Sequence, residues 1–452
     1  MITEMEQNKE TEQENGVNTP DSDFITEKIK QRPIDKKKLL RRTMITAAMA
    51  VIFALVACLT FLILEPVLSN WLYPEEEPAP IELPAETEEM LPEDMIVDDS
   101  EMVQEEEPAE VKLQDEQIAQ VLDNISLDVD DYLAMYNGLA AAAREAAKSV
   151  VTVTGSVSNL DWFNDPYESK DQTSGIIVAD QGKEIFILVN YENLEDAETI
   201  MVTFGSGEQV QAQLKLRDSN TKLAVISVAE SDVNKETLEG IVLADLTGSS
   251  SNSAIVGKPV IAVGSPLGTS DSVCYGIVTS NNTTLNMIDS YYKVITTDIY
   301  GSGDASGVLV NLSGQVLGII DNTHNSEDMK NLVSAIGITE LRRKIEKMSN
   351  EKEQAYLGTY GTDVTIDANE RLGVPYGAYI TEIELDSPAM AAGIQSGDII
   401  TAIGEKEIKT YGDLVGAMIE LQPNESVGIT LMRQGPEEYM QMEVDVTLGK
   451  LE

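Results

Sequence analysis

Residues 298–319 read DIYGSGDASGVLVNLSGQVLGI, a turn rich in glycine and serine that is followed by two short aliphatic runs. In many serine hydrolases a turn of this kind carries a central Ser, the nucleophile, just ahead of a buried strand. Here Ala305 occupies the central position. The stretch therefore predicts a strand-rich scaffold of that type whose hydroxyl nucleophile is missing.

Short runs rich in Val, Ile and Thr recur on both sides of this turn. About a dozen of them, separated by turn-forming residues, favour an all-β barrel or sandwich over alternating strands and helices. Helices are predicted before them, over DDYLAMYNGLAAAAREAAKSV (130–150), and after them, over TELRRKIEKMSNEKEQ (339–354). We expect this domain to span residues 128–350.

The last hundred residues differ in character from the strand-rich domain. Strands alternate there with an Ala- and Gly-rich turn and with the amphipathic stretch TYGDLVGAMIE (410–420). This mixture predicts a small, separate α+β domain over residues 351–450.

An uncharged apolar stretch near the N-terminus, TMITAAMAVIFALVACLTFLIL (43–64), has the length of a transmembrane helix. The segment KIKQRPIDKKKLLRR (28–42) is strongly basic, and no further basic residue occurs until Lys112. This asymmetry predicts a single-pass anchor in the cell membrane, with residues 1–42 as a disordered cytoplasmic tail and the later domains outside. A cleaved signal peptide is the alternative, although its apolar region would be shorter and closer to residue 1.

Acidic residues dominate the segment after the apolar stretch. Residues 74–111 contain several prolines and no basic residue, which predicts an extended, disordered stalk over residues 65–127. A calcium site there would require EF-hand-like spacing, which the stalk lacks. The net charge of −47 argues against a nucleic-acid partner. The two cysteines form no motif for a disulfide or for zinc, and we expect neither a metal nor a cofactor.

Several motifs occur together in an order that resembles the HtrA family, whose members carry a trypsin-like serine protease domain followed by a PDZ domain. The resemblance extends from about residue 145 to 449. The stretches that carry it are SGIIV (174–178), FILVN (186–190), RDSNTKLA (217–224), VGKPVIAVGSPLG (256–268), GDASGVLVN (303–311) and DSPAMAAGIQSGD (386–398). It implies a double β-barrel of the trypsin type and a C-terminal PDZ domain.

The same resemblance places the three positions of the catalytic triad. Glu192 stands where the family has His, Lys222 where it has Asp, and Ala305 where it has the nucleophilic Ser. Acyl transfer by a hydroxyl requires a nucleophile, a base and a group that orients the base, so the resemblance implies a pseudoprotease. We hypothesise that Glu192 and Lys222 form a buried ion pair in the former triad site. The alternative is an active endopeptidase that uses Ser306 and an unorthodox base, such as Lys222.

Three further expectations concern groups near these sites. The N–H groups of Gly303 and Ala305 match the family's oxyanion hole. His324, the only histidine, is expected in a surface loop rather than as a base. The stretch YLGT, Tyr356 to Thr359, matches the family's loop that binds a peptide carboxylate, and the N–H groups of Leu357, Gly358 and Thr359 would be its donors.

These expectations combine into one functional hypothesis. The chain would be an outward-facing, membrane-anchored scaffold or sensor in protein quality control of a bacterial envelope, binding peptides or protein C-termini through its PDZ domain. Many members of the family form trimers, so a homotrimer is a further expectation.

Overall fold

A computed structural model of the chain describes residues 36–72, 80–85, 128–160, 166–436 and 438–451. Most of the predicted cytoplasmic tail and most of the predicted stalk lie outside the described residues. The chain divides into two units, Met1–Glu77 and Pro78–Glu452.

The described residues of the N-terminal unit form the helix α1 (Lys36–Leu72). It includes the apolar stretch 43–64 and continues into the first eight residues of the predicted stalk. In the part of the chain that the structure describes, no helix qualifies by length and apolarity as a membrane span. The predicted transmembrane helix is therefore not confirmed.

The second unit begins with two closed antiparallel barrels, as the sequence predicted. The first has the strand order β1-β2-β3-β6-β5-β4 and the second β10-β11-β12-β9-β8-β7. Strands of the first barrel are β1 (Val150–Leu160), β2 (Pro166–Asp180), β3 (Glu184–Asn190), β4 (Thr199–Thr203), β5 (Gln209–Arg217) and β6 (Leu223–Ala229). Those of the second are β7 (Pro259–Ser265), β8 (Ser272–Met287), β9 (Ser290–Tyr300), β10 (Ser306–Val310), β11 (Val316–Ile320) and β12 (Leu332–Gly337).

Three helices accompany the barrels: α2 (Val129–Ala147), α3 (Lys235–Gly240) and α4 (Ile338–Ser349). Asp128 caps α2, because its carboxylate accepts the N–H groups of Asp130 and Asp131. One face of α4 is buried in the barrel core through Leu341, Ile345 and Met348, whose spacing follows the helical period.

The C-terminal domain is a small α+β structure, again as predicted. Its main sheet has the order β14-β15-β16-β18-β19, which makes β14 an edge strand. The strands are β13 (Ala355–Tyr356), β14 (Thr359–Asp363), β15 (Ala378–Ile383), β16 (Ile399–Ile403), β17 (Lys406–Glu407), β18 (Ser426–Gln434), β19 (Tyr439–Thr447) and β20 (Gly449–Lys450). The helices are α5 (Ile366–Leu372), α6 (Pro388–Ala391) and α7 (Tyr411–Glu420).

A short part of the predicted stalk packs against the barrel domain. Ile81 is buried, its N–H donates to Asn350 Oδ1 at 2.8 Å, and its carbonyl accepts from Asn350 Nδ2 at 2.9 Å. The prediction of an unstructured stalk over 65–127 is thus corrected twice, since residues 65–72 are helical and residues 80–85 are docked. Residues 80–85 dock because the apolar side chain of Ile81 is buried and its backbone N–H and carbonyl are hydrogen-bonded.

Candidate functional site

Two of the three triad-equivalent positions lie next to the ends of neighbouring strands of the first barrel. Glu192 follows β3 in a single helical turn, and Lys222 directly precedes β6. Strands β3 and β6 pair with Asn190 opposite Leu223, and the Tyr191 N–H donates to the Lys222 carbonyl at 2.8 Å. The fold therefore brings these two backbone positions together, although they are 30 residues apart in sequence.

The hypothesis of a buried ion pair between Glu192 and Lys222 is wrong. Both side chains are exposed, and the ion pairs of the described residues do not include this one. Lys222 adopts a left-handed backbone with φ of 57°, in a turn that the sequence did not predict. An ion pair between two solvated side chains contributes little stability, so the fold does not require Glu192 and Lys222 to be in contact.

The turn around Ala305 is held by hydrogen bonds between its own residues and by one from Asn322. The Ala305 N–H donates to the Ser302 carbonyl at 3.2 Å, and Asn322 Nδ2 donates to the same oxygen at 2.8 Å. The Asp304 N–H donates to Ser302 Oγ at 3.3 Å, while Gly303 is exposed. One of the two N–H groups that match the oxyanion hole is thus engaged within the turn, and an oxyanion would have to compete for it.

Ser306, the alternative nucleophile, is part of the junction between the two barrels. It begins β10, it is buried, and its Oγ accepts the Ser174 N–H from β2 at 3.0 Å. The next residue, Gly307, has φ of 120°, and a Cβ there would overlap the carbonyl oxygen of Val263. Among the hydrogen bonds of the described residues none joins Ser306 Oγ to a base, and a hydroxyl that already accepts a backbone N–H is suited to structural bonding rather than to nucleophilic attack.

His324 lies in the loop that follows β11, as expected. Its Nε2 is 3.7 Å from Asp321 Oδ2, and Asp321 Oδ1 accepts from the hydroxyl and the N–H of Thr323. Among the contacts of the described residues, none joins His324 to Ala305 or Ser306. The geometry therefore supports a loop histidine and not a general base.

The loop that precedes Lys222 carries contacts that the sequence did not reveal. Asn220 Nδ2 donates to the Ile288 carbonyl at 2.8 Å and to Ser290 Oγ at 3.1 Å. These bonds attach the loop beside the triad-equivalent Lys222 to the turn between β8 and β9. Only the position of Asn220 next to a motif residue could have drawn attention to it.

The predicted carboxylate-binding loop of the C-terminal domain holds a carboxylate of this chain. The N–H groups of Leu357 and Gly358 donate to Asp289 Oδ2 at 2.7 and 2.8 Å. The N–H and the hydroxyl of Thr359 donate to Asp289 Oδ1 at 2.9 and 2.8 Å. The three donors named from sequence thus converge on one carboxylate, but Asp289 itself was not predicted.

Gly358 has a conformational role in this loop. Its φ is 87°, and a Cβ at this position would overlap the Cβ of Ser387. Glycine adopts such a φ without steric cost, and it also allows the loop to approach α6 closely. By contrast, among the hydrogen bonds of the described residues none joins the Tyr356 hydroxyl to the Asp289 carboxylate. The predicted role of Tyr356 in binding stays a prediction.

Comparisons with known proteins agree with this architecture. A family model described as a trypsin-like peptidase domain matches residues 173–319, and one described as a PDZ domain matches residues 343–446. The chain carries a trypsin-like domain and a PDZ domain. The prediction of these two domains in this order is confirmed.

Curated relatives with similar sequences are proteases by name. A "Probable periplasmic serine endoprotease DegP-like" of Halomonas elongata is 28% identical over 288 residues, covering 62% of this chain and 57% of that protein. A "Serine protease Do-like HtrA" of Lactococcus lactis subsp. cremoris is 26% identical over 323 residues, covering 67% of this chain and 77% of that protein. The chain thus spans little more than half of the DegP-like relative. The chain is therefore similar to proteases named HtrA and DegP-like.

Solved structures agree with the fold. The "HtrA-type protease AlgW with decapeptide" superposes with a TM-score of 0.51 at 21% identity, covering 69% of this chain and 98% of that one. A structure of the same protease with a tripeptide gives 0.50 at 22% identity, with coverage of 69% and 96%. At this identity the likeness concerns the arrangement of the chain and not its activity.

Proposed function

We propose that this chain is an HtrA-like pseudoprotease that binds peptides or protein C-termini through its PDZ domain. The observation that carries the proposal is the site at Ala305: the position of the nucleophile has no hydroxyl, and the adjacent Ser306 Oγ is bonded to the Ser174 N–H. The side chains of Glu192 and Lys222 are exposed, and among the hydrogen bonds of the described residues none joins either of them to Ser306.

The binding half of the proposal draws support from the loop of Leu357, Gly358 and Thr359. Its three N–H groups point to one carboxylate, which is the arrangement that captures a peptide C-terminus. The neighbouring β14 is an edge strand of its sheet, so a peptide can add to it as a further strand.

The location is part of the same proposal. The apolar stretch 43–64, with basic residues before it and acidic residues after it, supports a single-pass anchor whose barrels and PDZ domain face outward. The Halomonas relative is named as a probable periplasmic protease, which agrees with that orientation. A scaffold or sensor in envelope protein quality control follows as the proposed role.

Labelling with a fluorophosphonate probe tests the absence of peptidase chemistry, because only an activated serine is modified stoichiometrically. The full-length chain and its Ser306→Ala variant are each incubated with the probe and, separately, with denatured casein. We expect neither labelling nor cleavage from either protein. Labelling of the natural chain that disappears in Ser306→Ala would establish an enzyme with a displaced nucleophile.

A further inference from the structure

The carboxylate-binding loop of the PDZ domain is occupied by an acidic side chain of the second barrel. Asp289 lies in the turn between β8 and β9 and is 2% exposed. Both of its carboxylate oxygens are hydrogen-bonded by the loop, at distances from 2.7 to 2.9 Å. A peptide C-terminus would need these same N–H groups.

The backbone of Asp289 also makes a bond that a peptide would make. Its N–H donates to the Thr359 carbonyl at 2.8 Å. Thr359 is the first residue of the edge strand β14, and a peptide that extends a sheet must donate N–H groups to the carbonyls of that edge. Asp289 thus combines the carboxylate and the N–H of a bound C-terminal residue.

A residue of β9, just after this turn, also contacts the PDZ domain close to the loop. The ring of Tyr291 lies 6.1 Å from the ring of Tyr411, the first residue of α7, and its hydroxyl approaches Gly412. Tyr411 in turn donates its hydroxyl to the Thr359 carbonyl at 3.1 Å. Asp289 and Tyr291 therefore cover both the carboxylate-binding loop and the start of the helix beside it.

The barrel holds this turn in place. Asp289 has a left-handed backbone with φ of 50°, and Asn220 bonds the residues on either side of it, Ile288 and Ser290. Burial raises the pKa of the Asp289 carboxyl, and the loop's N–H groups and the Thr359 hydroxyl oppose that rise. The donors in the loop are neutral, and their hydrogen bonds offset part of the cost of burying the carboxylate.

We propose that Asp289 is an internal ligand of the PDZ domain, which a peptide C-terminus must displace before it can bind. This inference rests on the proposed peptide-binding function, whose regulation it describes. The peptide would take over the loop N–H groups from Asp289, so binding would separate the PDZ loop from the β8–β9 turn. Affinity for a free C-terminus is reduced by this competition.

The experiment compares the full-length chain with its Asp289→Asn and Asp289→Gly variants. Asn places an amide among the loop's N–H groups, and Gly removes the side chain while tolerating φ of 50°. The matched control is Asp271→Asn, since Asp271 is an exposed aspartate with φ of 59° in another turn of the same barrel. Binding is measured by fluorescence polarisation with a pool of labelled heptapeptides with apolar C-terminal residues, with either a free or an amidated C-terminus.

Hydrogen exchange of residues 355–361 is measured on the same four proteins and requires no peptide. We expect both Asp289 variants to bind the free-carboxylate pool at least about tenfold more tightly than the natural chain, and to exchange these amides faster. The amidated pool should bind the Asp289 variants no more tightly than it binds the natural chain. The Asp271→Asn variant should show neither tighter binding nor faster exchange. Unaltered exchange in both Asp289 variants would refute the proposal that Asp289 is an internal ligand.

The two readouts distinguish the failure of this inference from failure of the proposed function. Faster exchange in the variants, without peptide binding by any of the proteins, supports the internal ligand and refutes the peptide-binding function. Equal peptide affinity of the natural chain and both Asp289 variants refutes the competition while leaving peptide binding intact.

Discussion

The Asp218 carboxylate lies 2.8 Å from the Lys344 ammonium group, and both side chains are buried between the first barrel and α4. Thr221 donates its N–H and its hydroxyl to the other carboxylate oxygen, at 2.9 and 2.6 Å. This pair fixes the loop that leads to Lys222. The removal of only one partner of such a buried pair strongly destabilises the folded protein.

We therefore expect Asp218→Asn to lower the free energy of unfolding by about 3 to 5 kcal/mol, because Lys344 would remain buried without its counter-ion. Chemical denaturation at pH 7 measures the loss. The control is the double variant Asp218→Asn with Lys344→Met, in which no charge is stranded and the loss should be smaller. A double variant at least as unstable as the single one would contradict the prediction.

The same pair predicts a sensitivity to acid. Burial raises the pKa of the Asp218 carboxyl, but Lys344 and the bonds from Thr221 outweigh burial and hold the pKa below its ordinary value of 3.8. A lowered pKa in the folded state contributes stability above the unfolded value, and this stability is lost as the pH falls through the folded pKa. The difference in unfolding free energy between the natural chain and Asp218→Asn should therefore shrink below about pH 4. Denaturation curves at pH 7, 5 and 3 measure it, and a constant difference would exclude the mechanism.

Restoration of the triad tests whether the cleft keeps its geometry. In the variant Ala305→Ser, Glu192→His and Lys222→Asp, a base and its orienting group return to adjacent positions, since the Tyr191 N–H bonds the Lys222 carbonyl. General base catalysis contributes about 10² to 10⁴ in rate, so fluorophosphonate labelling should be at least about 100-fold faster than in Ala305→Ser alone. Equal labelling of the two variants would show that the restored side chains do not meet.

Substitution of Gly358 tests the shape of the carboxylate-binding loop. Gly358→Ala introduces a Cβ that overlaps Ser387, in addition to the cost of about 1 to 2 kcal/mol for a left-handed backbone at a non-glycine residue. Gly182→Ala is the control, because φ there is 75° and no atom lies within 4 Å of the added Cβ. We expect Gly358→Ala to lose more stability in chemical denaturation, and a loss no greater than that of the control would mean that the loop adjusts freely.

Docking of residues 80–85 depends on Asn350. The substitution Asn350→Asp keeps the acceptor for the Ile81 N–H but removes the donor to the Ile81 carbonyl. At about 1 kcal/mol for a hydrogen bond, amide exchange of this segment should rise about fivefold, as measured by mass spectrometry. Asn369→Asp, which removes only a local bond to the Val374 carbonyl, should leave that exchange unchanged. Unchanged exchange in Asn350→Asp would show that the bond to the Ile81 carbonyl contributes nothing to docking.

Much of the fold could be predicted because its signals are local. Short apolar runs between turn formers define buried strands within a few residues, as in the run from Val308 to Val310. The carboxylate-binding loop was predicted from the resemblance of the stretch Tyr356 to Thr359 to the family's loop, and its role in peptide binding stays a prediction. By contrast, the side chains of Glu192 and Lys222 were paired wrongly, because their exposure depends on turn geometry that no local pattern encodes.

The sequence by itself determined the chemistry at position 305: an alanine has no nucleophile in any conformation. It also determined the two domains and their order, since these follow from periodicity and motifs. Only the tertiary structure decided what fills the carboxylate-binding loop. Asp289 and the loop are 68 to 70 residues apart, and their hydrogen bonds form only when the barrel and the PDZ domain pack together. A buried carboxylate forms hydrogen bonds with the groups that the fold places beside it, and local sequence patterns do not specify those neighbours.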